Sequence, residues 1–184
     1  MKQFFCDLET TGTDPAKHGI IQIAGAIVID DNLKETFDWK VRPFAGDMVS
    51  AEASRVTGIT IEQMREFPEA SIVFQQLLAM LGHYVDKFDK KDKFFFVGYN
   101  STFDDGFLRR FWDKNGDSYY GSFFWWPSID VAVLAAHKLG DQRASLPNFK
   151  LTTVAQAMHV AAEGSAHDAG YDIALTRKLY EACK

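Results

Sequence analysis

Four acidic residues stand where an ionised side chain is costly. Asp7 and Glu9 close the apolar run Phe4-Phe5-Cys6-Asp7-Leu8-Glu9, which reads as a strand entering a Thr-Thr-Gly turn. Alternation along a strand sets Phe5, Asp7 and Glu9 on one face. That face turns from apolar to acidic at the carboxyl end, where open α/β sheets bind ligands. Asp104 falls in an amphipathic helix, with Phe107, Leu108 and Phe111 three, four and seven positions further on the same stripe. Asp172 repeats the anomaly, since Leu175 and Leu179 share its face. A carboxylate on a core face persists ionised only when paired or bound to a metal. Four of them, from three separate segments, point to one divalent-metal site. Carboxylates and water are the ligands that hard Mg²⁺ prefers. Two such ions ~3.5–4 Å apart cleave phosphodiesters by activating water and stabilising the leaving oxyanion.

Each acid taken alone has an ordinary explanation. A strand-end Asp-x-Glu is a solvated turn, and Asp104 is a helix N-cap. Asp105 competes with Asp104, but Arg109 four residues on offers it a surface ion pair. Only the joint occurrence of the four acids argues for a site. His18, His83, His137 and His159 show no metal-ligand spacing and read as surface or packing residues. The aromatic run Phe123–Trp126 reads as strand core in preference to a base-stacking platform. Arg143, Phe149 and Lys150 read as parts of a solvated loop.

The elements that must position these acids follow in order. A first strand near Lys2–Glu9, a second over Ile20–Ile29 and a third near Lys34–Val41 form an antiparallel meander, with Asp30-Asp31-Asn32 as a turn. Short helices are expected at Ser50–Arg55 and after Thr60, where Thr60 and Gln63 offer a capping box. A longer helix covers about Glu69–Asp86. Phe94–Val97 is apolar throughout, as befits a central strand buried on both faces. After the helix bearing Asp104, Ser122–Trp126 reads as a fifth strand. Helices around Asp130–Leu139 and Leu151–His159 flank a polar loop at Asp141–Asn148, and a last helix begins near Asp168. Meander followed by alternating strands and helices indicates an α/β fold, a mixed five-stranded sheet with helices on both faces.

The chain of 184 residues suits a single domain spanning 1–184. No apolar run reaches the ~18–20 residues of a membrane span. Cys6 and Cys183 are too few for a disulfide framework or zinc cluster, so a cytoplasmic setting is expected. The net charge of −5 argues against broad duplex binding. Of 25 Asp and Glu, four are the candidates; the remaining 21 nearly balance 20 Lys and Arg. Two bound divalent cations would offset the four locally. The balance leaves room for a short single-stranded end held in a metal site.

Asp7-Leu8-Glu9-Thr10-Thr11-Gly12, Asn100-Ser101-Thr102-Phe103-Asp104 and His167-Asp168-Ala169-Gly170-Tyr171-Asp172 resemble, in order and spacing, the three motifs of DnaQ-like exonucleases of the DEDDh branch. Val56-Thr57-Gly58-Ile59-Thr60 is similar to a loop between the first two motifs. The resemblance spans essentially the whole chain. It implies a ribonuclease-H-like fold and 3′-to-5′ hydrolysis with two Mg²⁺ or Mn²⁺ ions. Asp7 would bridge both metals, Glu9 and Asp172 would complete the water-activating site, and Asp104 would hold the second metal. His167 would be the general base, a task suited to its ordinary pKa of ~6.5. The backbone at Thr10 and Thr11 would meet the terminal 3′ hydroxyl, and Asn100 is a further candidate for substrate binding.

The reading is a 3′–5′ exonuclease acting on a single-stranded end, DNA favoured over RNA as in proofreading enzymes, with a DNA polymerase subunit as a conceivable partner. An RNA-trimming or oligoribonuclease-type enzyme is the alternative. A non-catalytic polymerase-docking module is more remote, because all four acids and His167 are present. Asp7-Leu8-Glu9-Thr10-Thr11 also has a faint likeness to the Asp-x-Asp-x-Thr of haloacid-dehalogenase-like phosphatases. That reading needs Asp where Glu9 stands and leaves His167 unexplained.

Overall fold

The computed structural model describes residues 1–162 and 169–184. Strand β1 (Lys2–Thr10) lies at the centre of a five-stranded sheet. It pairs antiparallel with β2 (Ile20–Ile29), which pairs antiparallel with β3 (Asn32–Lys40). On its other side β1 pairs parallel with β4 (Phe95–Gly98), and β4 pairs parallel with the two-residue β5 (Ile129–Asp130). The order is β3-β2-β1-β4-β5, the expected mixed sheet. Asp30 and Asp31, both at positive φ (49° and 62°), join β2 to β3 as a two-residue hairpin turn. Such primed turns match the right-handed twist of the strands they connect.

Alternation along β1 divides the core into two layers. Phe4, Cys6 and Leu8 face α3 (Ala70–Tyr84) and α4 (Ser101–Lys114), against Phe74, Leu77, Phe107 and Phe111. Trp112 is fully buried there, its ring perpendicular to Phe74 at 5.0 Å between centroids. Phe5 instead packs with Ala26 and Val28 against α6 (Val131–Lys138), α7 (Leu151–Ala157) and α8 (Ala169–Cys183). Each large apolar side chain so buried contributes ~1.5–3 kcal/mol. A strand covered on both faces can afford two carboxylates only at its end, which is where Asp7 and Glu9 stand.

Two short helices, α1 (Ala51–Thr57) and α2 (Ile61–Arg65), follow β3. Thr60 and Gln63 close the expected capping box on α2, and Gly58 ends α1 at φ 68°, a conformation that favours glycine. The Ser122–Trp126 segment departs from its predicted strand. Residues 120–123 form a helical turn, α5 (Tyr120–Phe123), and Phe124 makes only an isolated bridge to Phe94; the fifth strand is Ile129–Asp130. An all-aromatic run carries no period to tell strand from helix, and Pro127 lacks the N–H to extend the ladder. The predicted polar loop at 141–148 contains a 3₁₀ turn, Gly140–Ser145. Among the described residues no helix is long and apolar enough to cross a membrane, and both cysteines are free thiols.

Candidate active site

The short reach of β4 creates the site. Its pairing with β1 covers only Gln3, Phe5 and the Phe4 between them, so beyond Phe5 the β4-side edge of β1 is open. The chain turns at Asn100 and starts α4 beside that edge. Asp104, one turn into the helix, fills it: the Leu8 N–H donates to Asp104 Oδ1 at 3.1 Å. Asp104 is only 4% exposed. A buried backbone donor left without a strand partner must find another acceptor, and here a carboxylate from 96 positions away supplies it.

Asp7 and Glu9 project from the opposite, α8-facing side of β1, opposite Ala24 and Gln22 of β2. The β1–β2 register slips between Glu9 and Thr10, a bulge of the kind that re-aims side chains at functional sites. Asp172 comes from the first turn of α8, whose Ile173, Leu179 and Tyr180 seat the helix on the sheet.

The acids act on one another electrostatically. Burial, reinforced by the charges of Glu9 and Asp172, pushes the Asp7 carboxyl up to about 7. Burial and then the Asp7 charge hold Asp104 well above the usual carboxylate range; the Leu8 N–H opposes this, and Glu9 adds to it. The neighbouring Cys6 thiol is raised by burial and by Asp104 and Asp7. Among the described residues neither Asp7 nor Asp104 forms an ion pair with a lysine or arginine. No three His, Cys, Asp or Glu side chains among them are drawn together as a ready-made metal cage. The site is therefore a concentration of like charge that a cation would relieve, and its all-oxygen donor set fits a hard divalent ion.

The other expected site residues divide. Thr10 Oγ1 donates to Gly12 O at 2.7 Å, and Thr10 lines a cleft beside Glu9. Thr11 is turned inward: its hydroxyl donates to Met48 O and accepts from Gly19 N–H, its N–H donates to Gly19 O, and its carbonyl accepts from Ser50 N–H. Of the two threonines expected at the substrate, the structure sets only Thr10 in the cleft wall. Asn100 is exposed, in the left-handed region at φ 64°, and donates its N–H to Asp130 Oδ1 at 3.0 Å; it does not line the cleft. Asp105 accepts from Arg109 Nε at 2.6 Å and from the Tyr120 hydroxyl, the structural role expected of it. His167 lies outside the described residues.

The cleft encloses about 410 Å³ between β1 and α1. Besides Glu9 and Thr10, its walls include Ser50, Val56, Phe103 and His18. Phe103 precedes Asp104 in the second motif and Val56 opens the Val-Thr-Gly-Ile-Thr segment, so both had a sequence signal. His18 had none, because its place depends on how the loop 11–19 folds.

Comparison with known proteins gives the family and the fold. The exonuclease family model matches residues 4–180. A PolC-type DNA polymerase III of Streptococcus agalactiae is 29% identical over 176 residues, covering 94% of this chain and 10% of that protein. Ribonuclease T of Hahella chejuensis is 26% identical over 184 residues, covering 95% of this chain and 79% of the relative. The chain thus spans about a tenth of the length of the PolC-type relative and most of the ribonuclease T. Exonuclease I of E. coli in complex with a dT13 oligonucleotide superposes with a TM-score of 0.75 at 22% identity, over 99% of this chain and 40% of that one. That likeness shows the fold, which is ribonuclease-H-like.

Proposed function

The chain belongs to the exonuclease family, and from that premise we propose that it removes nucleotides from the 3′ end of a single-stranded nucleic acid. Residues 1–184 would act as one catalytic domain. Asp7, Glu9, Asp104 and Asp172 would hold two Mg²⁺ or Mn²⁺ ions. The observation that supports this most directly is the Asp7 carboxyl, pushed up to about 7 by burial and by two neighbouring acids. A chain gains nothing from gathering such charges unless a cation completes them.

When bound, the two ions would supply activation of water and stabilisation of the leaving oxygen. The chain's own residues do the positioning. The strand end and its bulge aim Asp7 and Glu9 together, the Leu8 N–H pins Asp104, and α8 brings Asp172 across the sheet. The cleft beside Glu9, walled by Thr10, Val56 and Phe103, would seat the terminal nucleotide with its scissile phosphate toward the acids. His167 would accept a proton from the attacking water. As the water oxygen bonds to phosphorus, the bond from phosphorus to the 3′ oxygen of the preceding nucleotide breaks. The products are a nucleoside 5′-monophosphate and a new 3′ hydroxyl.

DNA is the favoured substrate, in keeping with the PolC-type relative and the dT13-bound exonuclease I; association with a polymerase would suit the same kinship. The ribonuclease T match, over most of that relative's length, supports RNA as the second reading. The test uses 5′-labelled single-stranded DNA and RNA of matched sequence with Mg²⁺ or Mn²⁺ and an EDTA control. A metal-dependent ladder shrinking from the 3′ end is expected, with DNA degraded faster. Faster loss of RNA would favour the second reading, and no cleavage of either would overturn the exonuclease assignment.

A further inference from the structure

His18, in the loop 11–19 between β1 and β2, commits every polar atom but one to the fold. Its N–H donates to Asp14 O at 2.9 Å, and its carbonyl accepts from Lys114 Nζ at 3.1 Å. The Asp14 N–H points at the imidazole Nδ1 across 3.1 Å. Asp14 O lies equally near Nδ1, but it already accepts the N–H groups of Lys17 and His18. The Asp14 N–H finds its acceptor among the described residues in Nδ1, which favours the tautomer with Nδ1 unprotonated. In a neutral imidazole the proton then sits on Nε2. Among the described residues, Nε2 has no hydrogen-bond partner.

The ring is also fixed in place. A Cβ on Gly12 would stand 2.3 Å from Cδ2 and 2.4 Å from Nε2, so the imidazole packs directly over the Gly12 backbone. Only glycine allows that approach. The half-buried ring forms part of the cleft wall with Glu9, Thr10, Gly12 and Ser50. A donor whose backbone, tautomer and ring plane are all held by the fold is preorganised for an acceptor that enters the cleft.

We propose that His18 is a substrate-binding residue whose Nε2–H donates a hydrogen bond to an uncharged oxygen of the terminal nucleoside, on its sugar or its base. A phosphate oxygen is the poorer match, because Glu9 and Glu52 border the same cleft. The proposal rests on that cleft receiving the terminal nucleotide. His18 itself takes no part in bond breaking.

Thymidine 5′-monophosphate, with Mg²⁺, is the probe, since its binding is measurable whether or not the protein hydrolyses an oligonucleotide. Failure of hydrolysis in the wild type would thus count against the exonuclease reading while leaving this inference to its own measurement. His18→Asn keeps an acceptor where Nδ1 stands and so retains the loop; it removes the donor at Nε2. His18→Gln keeps a donor near the Nε2 position. His18→Asn should weaken the nucleotide about 3–10-fold, the worth of one hydrogen bond. His18→Gln should recover most of that loss, and neither change should alter the affinity for inorganic phosphate. With an active wild type, the Asn variant should raise KM by a similar factor and change kcat less. Deoxyribose 5-phosphate separates the two acceptors: an equal His18 dependence assigns the sugar, and loss of that dependence assigns the base. In the wild type, a long-range ¹H–¹⁵N imidazole spectrum should show Nδ1 unprotonated and an Nε2–H that shifts on adding the nucleotide. A protonated Nδ1, an Nε2–H that does not respond, no binding of the nucleotide, or wild-type affinity in His18→Asn would each overturn the proposal.

Discussion

Helix α4 carries a buried acid problem at each end, and the two ends solve it differently. Near its C-terminus Lys114 reaches Asp47, whose side chain is 4% exposed, while Phe44 N–H donates to the other carboxylate oxygen at 2.9 Å. Lys114 also donates to the His18 carbonyl. The cation that neutralises Asp47 is built into the chain, and the result is a clasp joining α4 to the loops at 11–19 and 43–50. Near the N-terminus Asp104 accepts from the Leu8 N–H, and Asp7 and Glu9 crowd it with more negative charge. One end is electrostatically complete as folded. At the other, among the described residues, neither Asp104 nor Asp7 has a lysine or arginine ion pair, and like charge surrounds them instead.

The largest effect should come from removing an acid at the incomplete end. Asp7→Asn is expected to lower hydrolysis on the order of 10³-fold or more, because it removes a ligand proposed for both ions. The same change should stabilise the metal-free protein near neutral pH by roughly 1–3 kcal/mol in urea denaturation, since it deletes a repelled charge. Lost activity with equal or lower stability would remove the contrast between the two ends. Lys114→Met should act oppositely: it leaves Asp47 buried without its cation and costs ~3–5 kcal/mol. Asp47→Asn in that background should recover part of the loss.

The pH dependence of stability sharpens the same contrast. The Asp7 carboxyl ordinarily titrates near 3.8 and in the folded chain near about 7. Between those values the folded chain keeps a proton that the unfolded chain has released, so the Asp7 contribution falls as pH rises through the window and levels off above it. Thermal melts of the metal-free protein should show a component of this sign that Asp7→Asn abolishes. Mg²⁺ should raise the melting temperature most at the upper end of the window, where the acids are ionised. The smallest effect is expected at Asp105→Asn. Its carboxylate already serves Arg109 and Tyr120, so activity should change less than about threefold. A loss as large as that of Asp104→Asn would mean that the wrong aspartate of the pair has been assigned to the site.

Much of this was legible in advance because it is local. Periodicity set β1 and β2 and turned Asp104 inward, and the helical spacing of Asp105 and Arg109 marked an ordinary ion pair. The capping box at Thr60 and Gln63 likewise needs only neighbouring residues. Ser122–Trp126 departs from its expected strand because four aromatic side chains in a row carry no period to tell strand from helix. The inward hydroxyl of Thr11 and the place of His18 beside the cleft depend on partners, Met48, Gly19 and Lys114, that only folding brings near.

By itself, then, the amino-acid order determined which residues are acidic against an apolar background, which elements carry them, and the family whose motifs they match. Tertiary structure decided the rest. It left the β4-side edge of β1 open so that Leu8 N–H could bind Asp104, and brought α8 across to place Asp172 in the same field. It also paired one buried aspartate with Lys114 while setting Asp7 among like charges. The physical reason is range. Side-chain periodicity acts over a few residues along the chain, whereas desolvation and charge repulsion act between groups that become neighbours only when the sheet and helices pack.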